Sequence, residues 1–305
     1  MSDQFSCVAD VRRFETDLRV PGKARFDDIY NQDDPRAYFQ GLRTLEYQTP
    51  GHAQAIFGAL VSQLQEQRQR EQLVVLDLCC SYGINAALLN HDLTMAALYD
   101  RYCSPAVASL SSCDLLASDI CFYDAHRHPG THKVIGLDIA SRALEYAIAV
   151  GLLHAGSGEN LEQVDPSDRF LSEIRDVDLI TVTGGFSYIG ERTLGRVLSA
   201  IRGPRPWVAA FSIRWMDYEP IASLAAHYGL ETERLTGRTF PQRRFADARE
   251  QCGAMLELQR LGIDPTGKEA DGYLHVEFLL ARPPSDRRGS VEDLLRHQLN
   301  ETRHI

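Results

Sequence analysis

The chain has 305 residues, enough for one large α/β domain with an appended piece. Its formal net charge is −10 at pH 7 and its pI is about 5.5. An acidic chain repels a phosphate backbone, so we expect no nucleic-acid partner. We expect no membrane segment, because no apolar run approaches the ~20 residues of a membrane span. We also expect no signal peptide, because the segment from Met1 to Phe5 lacks a charged lead followed by an apolar stretch. Seven cysteines, an odd number, predict reduced thiols and a cytoplasmic location.

The first 50 residues are polar but carry interleaved aromatic side chains, namely Phe26, Tyr30, Tyr38, Phe39 and Tyr47. We expect a helical N-terminal arm here. A helix should begin at Thr49-Pro50, because threonine is a favoured N-cap and proline suits the first helical position. Ile56, Phe57 and Leu60 then recur at helical spacing, which predicts one packed face.

The most informative stretch follows this helix. An apolar run over 73–78 predicts a buried strand, with Asp77 near its end and a tight turn that reaches Gly83. A helix should run from Ile84 to Asn90, and a second strand from Lys133 should end at Asp138 before a helix over 141–153. An open α/β sheet holds a nucleoside with this order of elements: a strand, a turn, a helix, a second strand and an acidic residue. The turn takes the polar end of the ligand, and the second acid takes the ribose hydroxyls.

The interval between the turn and the second acid is unusually long. From Gly83 to Asp138 there are 55 positions, whereas a simple strand-helix-strand unit needs ~20–30. The surplus, about residues 92–130, predicts a helical insertion near the mouth of the site, since long insertions often form lids or substrate loops. Its cysteines and histidines lack the short Cys-x-x-Cys spacing of zinc sites, so we predict no metal.

The rest of the chain continues the alternation. Strands are predicted at about 161–164, 177–182, 206–213, 231–240 and 272–282, and helices at about 191–202, 220–227 and 245–262. Ser290 is a candidate cap for a C-terminal helix. Arg243-Arg244 has the pattern of a solvated pair on the surface.

With these motifs the chain resembles class I S-adenosylmethionine-dependent methyltransferases over about residues 50–282. The resemblance implies a Rossmann-like, seven-stranded, mostly parallel sheet whose last strand is antiparallel. It divides the chain into an arm or lid over the cofactor site (1–50), a methyltransferase-like domain (51–284) with the insertion at about 92–130, and a helical tail (285–305).

The resemblance also implies a set of residues that bind S-adenosylmethionine: Asp77, Cys79, Ser81, Gly83, Asn85, Asp138, Ile139, Asp165, Thr183 and Gly184. In that family Asp138 corresponds to the acid that binds the ribose hydroxyls, and Asp165 to the residue that contacts the adenine amino group. The chain departs from the family at the first turn, where Cys79 and Ser81 replace two of three glycines. Both side chains are small enough for close contact, and the Ser81 hydroxyl can bond the methionine end of the cofactor.

Candidate catalytic groups lie in two segments. The loop after the fourth strand offers Ser187 and Tyr188 but no carboxylate or imidazole. In the arm, Tyr30 and Tyr38 either contact the cofactor, by a hydrogen bond or by cation–π attraction, or only pack the arm. A general base is needed only for a poorly nucleophilic acceptor. The histidines considered for that role are His52, His227 and His275; His275 lies in an alternating strand, as structural histidines do.

The leading interpretation is methyl transfer to a small-molecule acceptor by in-line displacement. Because no base is evident, two other reactions of the same cofactor stay open: intramolecular cyclisation and aminocarboxypropyl transfer, both of which release methylthioadenosine. An NAD-dependent oxidoreductase would prefer three glycines in the turn, and a non-catalytic binding module would keep the fold alone. A homodimer also stays open.

Overall fold

The computed structural model describes residues 23, 24 and 26–301. Residues 1–22 and 25 of the expected arm, and residues 302–305 of the expected tail, lie outside the described residues. Among the described helices, none combines the length and apolar character needed to cross a bilayer.

A single eight-stranded sheet organises the described chain. Its strands are β1 (Val74–Leu78), β2 (Lys133–Leu137), β3 (Ala155–Ser157), β4 (Leu179–Thr183), β5 (Trp207–Ile213), β6 (Glu231–Arg234), β7 (Phe240–Arg244) and β8 (Tyr273–Arg282). The order is β3-β2-β1-β4-β5-β8-β6, with β7 also paired to β8. Strands β1 to β5 are parallel, and β8 is antiparallel to β5, β6 and β7. The expected fold class, a mostly parallel sheet with an antiparallel last strand, is confirmed.

The eighth strand, β7, was not predicted. Ten-residue β8 is long enough to pair with two short strands along one edge. Its second half, Leu279–Arg282, pairs with β6, and its first half, Tyr273–Val276, pairs with β7. The register of the β7–β8 pair shifts between Pro241 and Arg243, because proline has no N–H to donate to the hydrogen bonds between the strands. This strand brings a segment from late in the chain to the carboxyl ends of the parallel strands.

The strand predicted at 161–164 is wrong. The third strand is Ala155–Ser157, and residues 161–163 form a turn. Small residues are required at this edge, because a Cβ on Gly156 would lie 2.6 Å from Leu144 Cδ1. A strand of small residues has little apolar signal. The segment that follows contains the apolar residues Leu161 and Val164, and it was therefore predicted as a strand although it forms a turn.

Helices cover both faces of the sheet. They are α1 (Asp27–Tyr30), α2 (Arg36–Thr44), α3 (Thr49–Arg68), α4 (Ile84–Asn90), α5 (Met95–Tyr102), α6 (Pro105–Ala108), α7 (Ser112–Ala125), α8 (Ser141–Ala149), α9 (Asp168–Glu173), α10 (Glu191–Ala200), α11 (Glu219–His227), α12 (Ala248–Leu261), α13 (Val291–Leu294) and α14 (Arg296–Glu301). The helix predicted over Ile84–Asn90 is confirmed at both ends, and α8 stops before Gly151, whose φ is 77°.

Two apolar layers form the core, one on each side of the sheet. Alternate side chains of β1 belong to different layers: Val75 packs with α3 and α4, whereas Leu76 and Leu78 pack with α10 and α11. The parallel strands are therefore buried on both faces, which explains their nearly continuous apolar runs.

The insertion is helical, as expected, and supports the arm. The rings of Phe39 and Tyr102 stack with centroids 4.6 Å apart. Arg36 donates to the carbonyl oxygens of Val107 (3.1 Å) and Leu110 (2.8 Å) and pairs with Asp34 at 2.7 Å. Among the described residues that line the main cavity, none comes from 92–130. The insertion therefore lies behind the arm and not, as we expected, at the mouth of the site.

Replacing Arg36 by methionine should loosen the arm and leave the sheet intact. The variant loses charge-assisted hydrogen bonds that join the arm to the insertion, worth about 1–3 kcal/mol in a partly buried place. We expect faster amide hydrogen exchange in α2, α5 and α6, with protection of β1 and β4 unchanged. Arg43→Met is the matched control, because its ion pair with Asp100 is exposed and should contribute little. Equal exchange in the two variants would contradict this role of Arg36.

Candidate functional site

A cavity of about 760 Å³ lies at the carboxyl ends of β1, β2 and β4. Its walls come from the arm, the turn after β1, the end of β2, the segment 159–163, the loop after β4, and β7. In open α/β sheets this edge is where ligands bind. Ten of the predicted site residues line it: Tyr30, Tyr38, Cys79, Ser81, Asn85, Asp138, Ile139, Thr183, Gly184 and Tyr188.

The turn after β1 has an unusual backbone. Cys79, Ser81 and Gly83 all have positive φ, at 58°, 48° and 74°. These are the three positions at which the related motif has glycine, so the conformation is kept although two glycines are replaced. A non-glycine residue in the left-handed region costs about 1–2 kcal/mol. Hydrogen bonds such as the one from Cys79 N to Leu137 O, at 2.7 Å, oppose that cost.

Asp138 joins the end of β2 to this turn. Its carboxylate accepts the backbone N–H of Ser81 at 2.7 Å and that of Ala140 at 2.8 Å. Burial raises the pKa of this carboxyl, while the two N–H donors act in the opposite direction. A carboxylate has about four acceptor positions, so two remain for hydroxyl groups of a ligand.

Asp77 lies beneath the cavity floor and does not line it. Fully buried, it accepts from Thr181 Oγ1 at 2.7 Å and from Asn85 Nδ2 at 2.9 Å. Asn85 Nδ2 also contacts Thr183 Oγ1 at 3.1 Å. Burial raises the pKa of Asp77 to about 7, against the lowering effect of these donors. In this position Asp77 orients Asn85 of the cavity wall, whose amide nitrogen also contacts Thr183.

Several buried polar atoms of the cavity wall have no hydrogen-bond partner among the described residues. They are Ser81 Oγ, Asn85 Oδ1 and Gln242 Oε1. An unsatisfied buried polar atom costs about 1–3 kcal/mol, so three of them beside one cavity favour a polar ligand there.

The aromatic residues of the arm form one wall of the cavity. Tyr30 and Tyr38 meet edge to face with centroids 5.3 Å apart, and Tyr38 contacts Tyr82 in the same way at 5.8 Å. The Tyr82 hydroxyl donates to Gln32 O at 3.0 Å and accepts from Gln32 N at 2.9 Å, which fastens the arm to the turn after β1. Burial raises the pKa of Tyr30 and Tyr38, so both phenols stay protonated.

Lys23, Tyr47, Gln242 and Arg243 are among the lining residues that were not predicted. The expectation that Arg243 is solvated is wrong, since it is only 3% exposed and forms a bidentate pair with Glu250 at 2.6 and 2.8 Å. Its neighbour Arg244 is half exposed. Only the position of β7 in the sheet distinguishes the two arginines, and no local sequence signal does so.

Four predicted site residues do not line the cavity: Asp77, Gly83, Asp165 and Ser187. Asp165 has an 89% exposed side chain and accepts from Arg196 Nε at 3.0 Å, while the neighbouring segment 159–163 lines the cavity. The Asp165 carboxylate therefore does not point into this cavity, since the turn at 161–163 replaces the strand that would have aimed it there. Ser187 is buried behind the wall.

The candidate histidines also lie outside the lining residues. His275 Nδ1 is 2.9 Å from Thr239 Oγ1, and burial lowers the pKa of this imidazole to about 4. Burial also lowers the pKa of His52. Within the described residues, no group of three or more His, Cys, Asp or Glu side chains is placed to hold a metal ion.

No protein-family model and no curated protein matches the chain. Solved structures do match. One is the plantazolicin methyltransferase BpumL in complex with a monoazolic desmethylPZN analog and SAH: 11% identity, 90% of this chain and 98% of that chain covered, TM-score 0.45. Another is the N-methyltransferase NodS from Bradyrhizobium japonicum WM9 in complex with S-adenosyl-L-homocysteine: 12% identity, 86% and 94% covered, TM-score 0.39.

A third is precorrin-6y C5,15-methyltransferase from Geobacter metallireducens GS-15: 9% identity, 73% of this chain and 86% of that chain covered, TM-score 0.35. These identities and TM-scores are low, whereas the strand order of this chain defines its fold directly. A parallel β3-β2-β1-β4-β5 sheet extended by an antiparallel strand is the class I methyltransferase fold that the sequence resemblance implied.

The raised pKa of Asp77 should make stability depend on pH. The folded protein holds this proton up to about pH 7, the unfolded chain only up to about pH 3.8. The stabilisation is therefore complete below about pH 3.8 and is lost as the pH rises through about 7. In urea denaturation, the free energy of unfolding of the wild type should fall relative to that of Asp77→Asn by about 1–3 kcal/mol between pH 4 and 7. If the unfolding free energies of the two proteins changed with pH in parallel, Asp77 would be ionised in the folded protein across this pH range.

Replacing Gly83 by alanine should destabilise the turn through both strain and crowding. The φ of 74° disfavours any side chain, and a Cβ would lie 3.2 Å from Ala147 Cβ and 3.3 Å from Leu152 Cβ. Gly130→Ala is a matched control, because Gly130 has the same φ and its Cβ would meet nothing within 4 Å. The control should lose about 1 kcal/mol of unfolding free energy and Gly83→Ala about 2–3 kcal/mol. Equal losses of unfolding free energy in the two variants would mean that α8 moves to accommodate the added Cβ at little cost.

Proposed function

We propose that the protein is an S-adenosylmethionine-dependent methyltransferase that acts on a small-molecule acceptor. The observation that carries the proposal is the 2.7 Å hydrogen bond from Ser81 N to the Asp138 carboxylate. Through it, the turn after β1 and a carboxylate suited to a ribose diol face the same cavity. That pairing is the geometry with which an open α/β sheet holds a nucleoside.

The lining residues fit the cofactor chemically. Asp138 has free acceptor positions for the ribose hydroxyls, and Ile139, 67% exposed, offers an apolar surface to the base. The unpaired Ser81 and Asn85 oxygens suit the ammonium group of the methionine end. Gly184, with φ 80°, lets the main chain approach closely. When bound, the cofactor supplies a methyl group on a positively charged sulfur.

The protein's own contribution is mostly orientation and exclusion of water. We propose that the described part of the arm, which ends at residue 50, covers the bound cofactor, and that Tyr30 and Tyr38 offer ring faces to a cation. The cavity of about 760 Å³ has the size of a site for small molecules and is too small for a macromolecule. The net charge of −10 also disfavours a nucleic-acid acceptor. Free thiols at all six described cysteines suit a cytoplasmic location.

Incubation with S-adenosylmethionine alone, followed by mass spectrometry, separates methyl transfer from other reactions of the same cofactor. We expect the cofactor to stay intact until an acceptor is added. Methylthioadenosine formed without an acceptor would instead indicate ring closure within the cofactor.

Asp138→Ala should weaken the binding of S-adenosylhomocysteine. Loss of charge-assisted hydrogen bonds to the ribose is worth about 1–3 kcal/mol, or roughly 5- to 150-fold in Kd. Isothermal titration calorimetry measures this, and circular dichroism checks that the variant is folded. The matched control is Asp165→Ala, whose exposed carboxylate lies outside the cavity and should leave Kd unchanged. Unchanged affinity in Asp138→Ala would overturn the proposed function.

A further inference from the structure

One amine belongs to the cavity wall that the described residues form. Lys23 Nζ donates to Ser187 Oγ at 3.1 Å and lies 5.1 Å from the centroid of the Tyr188 ring. Both partners belong to the segment that follows β4. Because β1 lies between β2 and β4 in the sheet, Lys23 and Asp138 lie on opposite sides of the turn after β1. The amine is therefore placed away from the proposed ribose end.

Two charged groups near Lys23, Arg243 and Glu250, are already paired with each other. Arg243 on β7 is held by both carboxylate oxygens of Glu250 on α12. The same oxygens also accept the backbone N–H of Ala24, at 2.7 Å, and that of Ala246, at 2.8 Å. Glu250 thus has its acceptor capacity used within the protein. Neither side chain of this pair is free to take a proton from a ligand.

Aromatic rings form the remaining wall near Lys23. Phe26, Tyr30, Tyr47 and Tyr188 all line the cavity. Burial raises the pKa of both Tyr30 and Tyr47, so these phenols do not act as bases at neutral pH. The rings instead suit a flat aromatic ligand, since ring pairs stack or meet edge to face favourably.

The surroundings of Lys23 favour its neutral form. Burial, and next the charge of Arg243, lower the pKa of this amine to about 7, while Glu250 and Cys79 act in the opposite direction. Near neutral pH the amine therefore has a lone pair in part of the molecules. A base with a pKa near the working pH is the most effective.

We propose that Lys23 is the proton acceptor for an acceptor substrate with an aromatic hydroxyl group. This inference rests on the proposed function and names its substrate class. In the step, the O–H bond of the phenol breaks and its proton forms a new N–H bond on Nζ. The O–H electron pair stays on the phenol oxygen, which becomes the nucleophile. Lys23, now an ammonium, returns the proton to solvent afterwards.

The test uses 4-nitrophenol, whose phenolate alone absorbs visible light, added to the full chain saturated with S-adenosylhomocysteine at slightly acidic pH. We expect the protein to raise the fraction of phenolate about twofold or more, because the protonated Nζ beside it, the product of the proposed proton transfer, stabilises the phenolate. Lys23→Met should abolish the increase and keep its affinity for S-adenosylhomocysteine. Lys133→Met is the matched control, since Lys133 pairs with Glu173 away from the cavity, and it should behave as the wild type.

The inference would be overturned if the wild type gave the same phenolate absorbance as Lys23→Met or as 4-nitrophenol without protein. Calorimetry with S-adenosylhomocysteine on the same samples separates this failure from that of the proposed function. Binding of S-adenosylhomocysteine without a rise in phenolate contradicts only the role of Lys23. Absence of that binding contradicts the proposed function itself.

Discussion

The contact between the turn after β1 and the carboxylate at the end of β2 is the constraint on which the rest of the site depends. Leu78 and Leu137 are partners in the parallel register, so the residues that follow them leave the sheet side by side. The Asp138 carboxylate then holds Ser81 N at 2.7 Å, with Ser81 in a left-handed conformation. A strained turn persists only where its surroundings impose it, and such turns are concentrated at functional sites.

Distant parts of the chain complete the cavity around this contact. The arm is held to the turn by Tyr82 and to the insertion by Arg36, so the insertion supports the site through the arm. On the other side, β7 brings Arg243 beside Lys23, and Glu250 neutralises the arginine. Burying a charge is costly unless it is paired, and among these groups Lys23 has the weakest compensation. Burial and the neighbouring charge of Arg243 therefore favour loss of a proton from this amine.

Local sequence patterns predicted the strands well where both faces of the sheet are buried. The apolar runs of β1, β2, β4 and β5 marked strands, and Asp138 was recognised as the acid after the second strand. The short strand at Ala155–Ser157 was missed because small residues carry little apolar signal. The position of Asp165 depended on the strand predicted at 161–164, and with that strand replaced by a turn its carboxylate points to solvent.

By itself, the sequence determined the class of sheet, the tight turn after the first strand and the carboxylate at the end of the second, because each shows in residues close together along the chain. Only the tertiary structure decided that Lys23, Gln242 and Arg243 share a cavity with Asp138. These residues are far apart in sequence, and the pairing of β7 with half of β8 has no counterpart in any local pattern. Burial by distant elements also sets the pKa of Lys23, and no stretch of sequence around that residue specifies which groups will surround it.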